Sequence, residues 1–184
     1  MKWLIVFCLC LTGCGVGRYN TSNVVIVNES TGFLIDSFVC TAAHVVDGEQ
    51  FAVIRYQNGK EDCATVVAID QKSDIALLKV DKPVFVPYDI ADPHIRETVV
   101  AIANPAHLWF SELEGKIQGI ERIDEFGTPL IQVSIDGFWG ASGGPILNQN
   151  GELIGVISKF IPGTRFTFVV PIQKVVLLIK KQRR

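Results

Sequence analysis

The sequence predicts an all-β protein built as two lobes, and three observations predict it. Apolar and β-branched residues come in short, strand-length runs; turn residues separate the runs; only the last segment carries the period of a helix. At 184 residues the chain suffices for one domain, or for two small lobes sharing an interface, and not for a catalytic unit with accessory modules. Its 48% of hydrophobic residues and formal net charge of −2 offer no strongly basic face, so no nucleic-acid partner is expected.

The N-terminal stretch "MKWLIVFCLCLTGCGVG" has one cation, Lys2, before an apolar run from Trp3 to Leu11. That run is far shorter than the roughly 20 residues of a membrane span and reads as a signal peptide over residues 1–13. Its end, Leu11-Thr12-Gly13-Cys14, resembles the bacterial lipoprotein box. The resemblance implies cleavage before Cys14 and lipidation of that cysteine, hence an exported protein anchored to a bacterial membrane. Gly15 in place of aspartate implies the outer membrane, facing the periplasm, rather than the inner one. Residues 14–23, rich in Gly, Ser and Asn, read as a tether. In an oxidising compartment Cys40 and Cys63 are either a disulfide pair or two buried thiols. A bridge between them would stabilise the chain by about 3 kcal/mol through loop closure.

From Val24 onward the strand-length runs follow in order: "VVIVNE", "TGFLIDSFVCTAAH", "FAVIRY", "CATVVAID" and "DIALLKV" in a first lobe over about 24–82. "TVVAIAN", "LIQVSID", "GELIGVIS" and "TFVVPI" follow in a second, over about 95–172. The proline-bearing "DKPVFVPYDIADPH" connects the two. Gln57-Asn58-Gly59 and Gln149-Asn150-Gly151 mark hairpins, because Asn-Gly tolerates the positive φ of tight turns. Such strands suit a barrel or a sandwich, about six to a lobe. The close of the chain, "PIQKVVLLIKKQRR", reads as a helix over about 172–181, with proline at its start and cations at its C-terminal end.

Gly140-Ala141-Ser142-Gly143-Gly144 fits the Gly-x-Ser-x-Gly pattern of a nucleophile elbow, whose fold demands a histidine after the serine. His44, His94 and His107 all precede Ser142, which excludes that arrangement. What remains is the order His, Asp, Ser: "TAAHVV" with His44 after an apolar strand, "DIALLKV" opening on Asp74, and "GASGGP" holding Ser142. Together these motifs resemble the chymotrypsin-like (trypsin-like) serine proteases over roughly Val24 to Ile172. "HVV" and the closing "FVVPI" resemble the bacterial HtrA/Deg-type branch.

The resemblance implies two six-stranded antiparallel β-barrels with a short C-terminal helix, and a serine endopeptidase acting on proteins or peptides. Chemistry gives each residue its task. A serine hydroxyl needs a base, and the base needs a partner that fixes its tautomer and balances its charge. His44 is that base, Asp74 its orienter, with Asp70 a less central rival. The N–H groups of Gly140 and Ser142 form the oxyanion hole, and Ser158 is implied as support for the aspartate. Asp136 stands at the position of a basic-selective pocket floor, whereas Trp139, Phe160 and Thr167 narrow such a pocket toward a small or apolar residue. His94 and His107 are given no role, and with no Cys/His cluster at ligand spacing neither metal nor cofactor is expected. Ala141 departs from the aspartate or asparagine usual there, so a trypsin-like zymogen switch is not available. The chain closes shortly after its last strand, so no PDZ domain is expected. The alternative is a catalytically weak, protease-like lipoprotein that serves as a binding module.

Overall fold

Among the residues that the computed structural model describes, 19–81, 83 and 85–184, twelve strands close into two antiparallel barrels. The stretch read as a signal peptide, Cys14 as its expected lipidation residue, and the first part of the stretch read as a tether lie outside the described residues. β1 (Val24–Val27), β2 (Ser30–Ile35), β3 (Phe38–Thr41), β4 (Phe51–Arg55), β5 (Glu61–Asp70) and β6 (Ile75–Lys79) form the first barrel. Their spatial order is β1-β2-β3-β6-β5-β4, and pairing of Val27 with Ile54 closes the ring. β7 (Thr98–Ala103), β8 (Ser111–Ile123), β9 (Pro129–Val133), β10 (Pro145–Asn148), β11 (Leu153–Phe160) and β12 (Thr167–Pro171) form the second. Taken from β7, its order is β7-β8-β9-β12-β11-β10, closed by Ile146 against Ala101.

The two-residue period of a strand decides where each side chain goes. In β3, Val39 enters the first barrel while Phe38 and Cys40 face outward; in β6, Ala76 and Leu78 enter while Ile75 and Leu77 face outward. β7 does the same for the second barrel, with Val99, Ala101 and Ala103 inside and Val100 and Ile102 outside. The outward residues of the two barrels do not meet water. They meet one another in a third apolar cluster, which is why these strands are apolar without interruption rather than alternating. β4 faces solvent and does alternate, with Ala52 and Ile54 buried between exposed Phe51 and Val53. α1 (Ile172–Gln182) adds Ile172, Val175 and Ile179 to the shared cluster, and its end pairs Arg183 with Asp36 of the first barrel.

Three expectations are corrected. Residues 14–23 are not tether throughout: Asn23 is fully buried, and its side chain exchanges hydrogen bonds with the main chain of Val86 at 2.5 and 2.9 Å. A buried amide satisfied twice belongs to the folded domain. Of the two alternatives for Cys40 and Cys63, neither holds whole: both are free thiols, Cys40 buried and Cys63 exposed. They sit on β3 and β5, with β6 running between, and neighbouring strands are about 4.8 Å apart, beyond disulfide reach across two intervals. Burial pushes the Cys40 thiol upward, so it stays protonated and packs as a small apolar group. In both Asn-Gly hairpins the positive φ falls on glycine alone, at 79° for Gly59 and 80° for Gly151. Asn58 uses its carbonyl oxygen instead, accepting from Lys60 N–H at 2.9 Å.

Candidate active site

The site lies where the two barrels meet, and each barrel delivers part of it. His44 follows β3 in a short 3-10 turn, Ala43–Val45, anchored by the fully buried Ala42 and Ala43. Asp74 occupies the turn just before β6, not the strand itself, with φ at 53°. Aspartate tolerates that left-handed conformation better than most residues. Its rival Asp70 shapes the same turn by accepting from Ser73 N–H at 3.2 Å.

The Asp74 carboxylate gathers three donors. His44 Nδ1 lies 2.9 and 3.0 Å from its two oxygens, His44 N–H donates at 3.0 Å, and Ser158 Oγ donates at 2.5 Å. With only carboxylate oxygens beside it, Nδ1 carries the ring proton, which leaves Nε2 as the acceptor. The hydrogen bond to Asp74 raises the His44 pKa above its ordinary value, against partial burial and with the help of the carboxylate's charge. Burial pushes the Asp74 carboxyl upward, but hydrogen bonds from His44 and Ser158 and the imidazole's charge outweigh it, and the net shift is downward. Asp74 thus stays ionised while His44 titrates.

Ser142 sits in the loop between β9 and β10. Its carbonyl accepts from Thr31 N–H at 3.1 Å and from Ser30 Oγ at 2.9 Å, and the Gly140 carbonyl accepts from Thr31 Oγ1 at 2.6 Å. These bonds tie the loop that carries Ser142 to β2 of the first barrel. The N–H groups of Gly140 and Ser142 share their peptide units with the Trp139 carbonyl, which accepts from Ala106 N–H at 2.8 Å, and the Ala141 carbonyl, which accepts from Gly144 N–H at 3.1 Å; both N–H groups donate to no acceptor among the described residues. Two orphan donors beside a hydroxyl are the requirement of an oxyanion site. Gly140 has φ at 91° and Gly143 at 83°, and a Cβ on either would overlap the Asn104 carbonyl or the Thr31 carbonyl respectively. The Ser142 hydroxyl donates to Ser158 O at 3.2 Å, and His44 and Ser142 line one cleft. Ala141, buried, packs its methyl into the core of the second barrel.

Thr31, Ser30, Thr41 and Asn104 escaped sequence analysis. Fully buried Thr31 is the hub: its hydroxyl accepts from Asn104 N–H at 3.0 Å, and its carbonyl accepts from Thr41 Oγ1 at 2.7 Å. The one available sign was a Ser-Thr pair opening an otherwise apolar strand.

Residues read as a substrate pocket are grouped only in part. Phe160 lies directly on Gly137, where a Cβ would overlap its ring, and meets Trp139 edge-on at 5.6 Å. Thr167, buried, pairs with Phe160 across β11 and β12 and donates to Ile135 O at 2.9 Å. Asp136 instead pairs with Arg165 at 3.3 Å, both more than half exposed. His94 lies in a surface turn, its N–H donating to Glu97. His107 is on the wall of the cleft.

Comparison with known proteins agrees with this fold. Residues 27–156 match the model of the trypsin-like peptidase domain. A relative named probable periplasmic serine endoprotease DegP-like, from Halomonas elongata, is 34% identical over 153 residues, 77% of this chain and 32% of the relative. One named probable periplasmic serine protease do/HhoA-like, from Haemophilus influenzae, is 34% identical over 145 residues, 74% of this chain and 30% of the relative. The crystal structure of the serine endoprotease from Yersinia pestis superposes with a TM-score of 0.81 at 26% identity, covering 90% of this chain and 64% of that one. The chain spans about a third of the length of these curated relatives.

Proposed function

Because this chain belongs to the trypsin-like peptidase family, of the HtrA type, we propose that it is a serine endopeptidase of protein or peptide substrates. The observation that carries the reading is the joint presence of the Asp74–His44 pair and the two orphan N–H groups flanking Ser142. In the proposed reaction the Ser142 hydroxyl leaves Ser158 O for His44 Nε2, which takes its proton as Oγ attacks the carbonyl carbon. Negative charge gathers on the carbonyl oxygen, where the Gly140 and Ser142 N–H groups each contribute about 3 kcal/mol. His44 then protonates the leaving amine, and an acyl-Ser142 ester remains. Water, deprotonated by His44, releases the acid and restores the hydroxyl.

Phe160 seated on Gly137, with Trp139 against it, supports a small or apolar residue before the cut. The Arg165 partner of Asp136 argues against selection of a basic one. Peptides differing only at that position test this, and a clear Arg or Lys preference would reverse it. Export with lipidation at Cys14 rests on the N-terminal motif, and the periplasmic names of the relatives support the compartment. Loss of a lipid-sized mass and of membrane sedimentation in Cys14→Ser tests it.

One observation favours the second reading, a binding module with weak turnover: Ser142 Oγ points to Ser158 O and not to His44. Digestion of an unfolded protein, with new termini read by mass spectrometry, separates the two. Cleavage lost in Ser142→Ala establishes the endopeptidase; binding without cleavage establishes the module.

A further inference from the structure

A two-residue hairpin turn, Asn28-Glu29, joins β1 to β2 with Val27 paired to Ser30 and lines the cleft that holds His44 and Ser142. Asn28 takes φ of 53° and clamps the turn to its surroundings. Its main-chain N–H donates to Val53 O at 2.9 Å, its side-chain oxygen accepts from Val53 N–H at 3.1 Å, and its amide donates to Val45 O at 3.3 Å, beside His44. On the other flank Ser30 and Thr31 hold the Ser142 carbonyl. Glu29 therefore sits on a fixed rim between base and nucleophile. A Cβ placed on Gly140 would lie 3.4 Å from the Glu29 carbonyl oxygen, ordinary van der Waals contact. The Glu29 side chain is exposed, and no cation lies within ion-pair distance of it among the described residues.

Glu29 borders a cleft of about 490 Å³ that also holds His44, Ser142, Gly140, His107 and Trp139. Ser158 and Lys159, from the strand that leads to the primary pocket, line a separate hollow with Asp74. If the acyl half of a substrate lies along that strand, the half released as an amine enters the cleft of Glu29. Granted Ser142 as the nucleophile, we infer that Glu29 selects a cationic residue, arginine above lysine, at the first or second position after the cut. A carboxylate without a partner at the edge of a cleft with protein walls focuses its field into that cleft and attracts a cation there. Trp139, 82% exposed on the same cleft, offers an indole face on which a guanidinium stacks and an ammonium does so less well.

The test uses peptides with one acyl half, ending in alanine, followed by Arg, Lys, Ala or Glu. Arg is expected to exceed Glu by ~10-fold in kcat/KM, expressed mostly in KM because the contact is made equally before and during reaction. The ratio shrinks in about 0.5 M salt, which screens charges beyond a few ångströms. Glu29→Gln brings Arg and Glu to within about 2-fold of each other, and Glu29→Lys inverts them. Peptide affinity for Ser142→Ala reads the same ratio without turnover. An Arg-over-Glu ratio in binding with no hydrolysis by the unmutated protein refutes the nucleophile and supports Glu29 as the cation site. Hydrolysis or binding with equal Arg and Glu, or a ratio that survives Glu29→Gln, overturns the inference, and hydrolysis by the unmutated protein then leaves the nucleophile standing.

Discussion

The two barrels share one topology and divide one task. Renumbered from its own first strand, the second barrel repeats the neighbour order of the first, and the connections correspond. His44 lies on the link between the third and fourth strands of the first barrel, and Ser142 on the link between the third and fourth strands of the second. The link between the fifth and sixth strands bears Asp74 in the first barrel; in the second it joins Phe160 to Thr167, at the primary pocket. No sequence repeat accompanies this repetition. Closure of a barrel asks only for apolar residues at alternate positions, so the strands of the two halves are free to diverge, while the connections carry the chemistry. On the proposed function, the first barrel supplies proton handling and the second supplies the nucleophile and its oxyanion donors.

Changes that break this division should differ in size according to what they remove. His44→Ala removes the base, and kcat is expected to fall by about 10⁶-fold, with little further loss on adding Ser142→Ala because the two act as a unit. Steady-state hydrolysis of a peptide by the single and double variants reads it; additive losses would mean that the two barrels work independently. Asp74→Asn keeps the shape and loses the charge, for about 10⁴-fold.

The pH profile reads the coupling between His44 and Asp74. His44 must be neutral to accept a proton, and Asp74 raises its pKa, so activity rises with pH through a midpoint above the ordinary 6.5 and is lost below it. In Asp74→Asn that midpoint moves down. A profile of kcat/KM that keeps its midpoint in the variant would contradict the coupling.

A smaller effect is expected on the second barrel's side. Gly140→Ala forces a side chain into the left-handed region against the Asn104 carbonyl and disturbs the donor beside it, for about 10²-fold in kcat. Smallest in activity but clear in stability is the seam between barrels. Leu77→Ala in the shared cluster should cost about 2–5 kcal/mol, read by urea unfolding, whereas Val53→Ala on exposed β4 should cost under about 0.5 kcal/mol.

Sequence analysis reached what short-range pattern encodes. Strand runs punctuated by turns gave the two lobes, and three short motifs in order gave the residues that the fold brings together, because each motif combines a strand with the special residue that ends it. Ser158 was reached through the resemblance, and its 2.5 Å bond to Asp74 is in place. What escaped depends on contacts distant in sequence. Thr31 is 109 residues from Gly140, whose carbonyl it holds, and nothing near Thr31 announces that partner. Asn23 resembled tether by composition and is buried because Val86 accepts and donates to it. Asp136 resembled a pocket floor until Arg165 stood beside it. The cysteines stayed open in the sequence for the same reason, since strand order, not sequence separation, puts β6 between them.

The central claim is that Ser142 is a nucleophile activated from the other barrel. The most direct measurement is covalent labelling of residues 19–184 by a fluorophosphonate probe, read by intact mass, beside Ser142→Ala and His44→Ala. A single adduct is expected on the unmutated protein, none on Ser142→Ala, and labelling slowed by orders of magnitude on His44→Ala. A folded protein that takes no label, or one that labels as fast without His44, would contradict it.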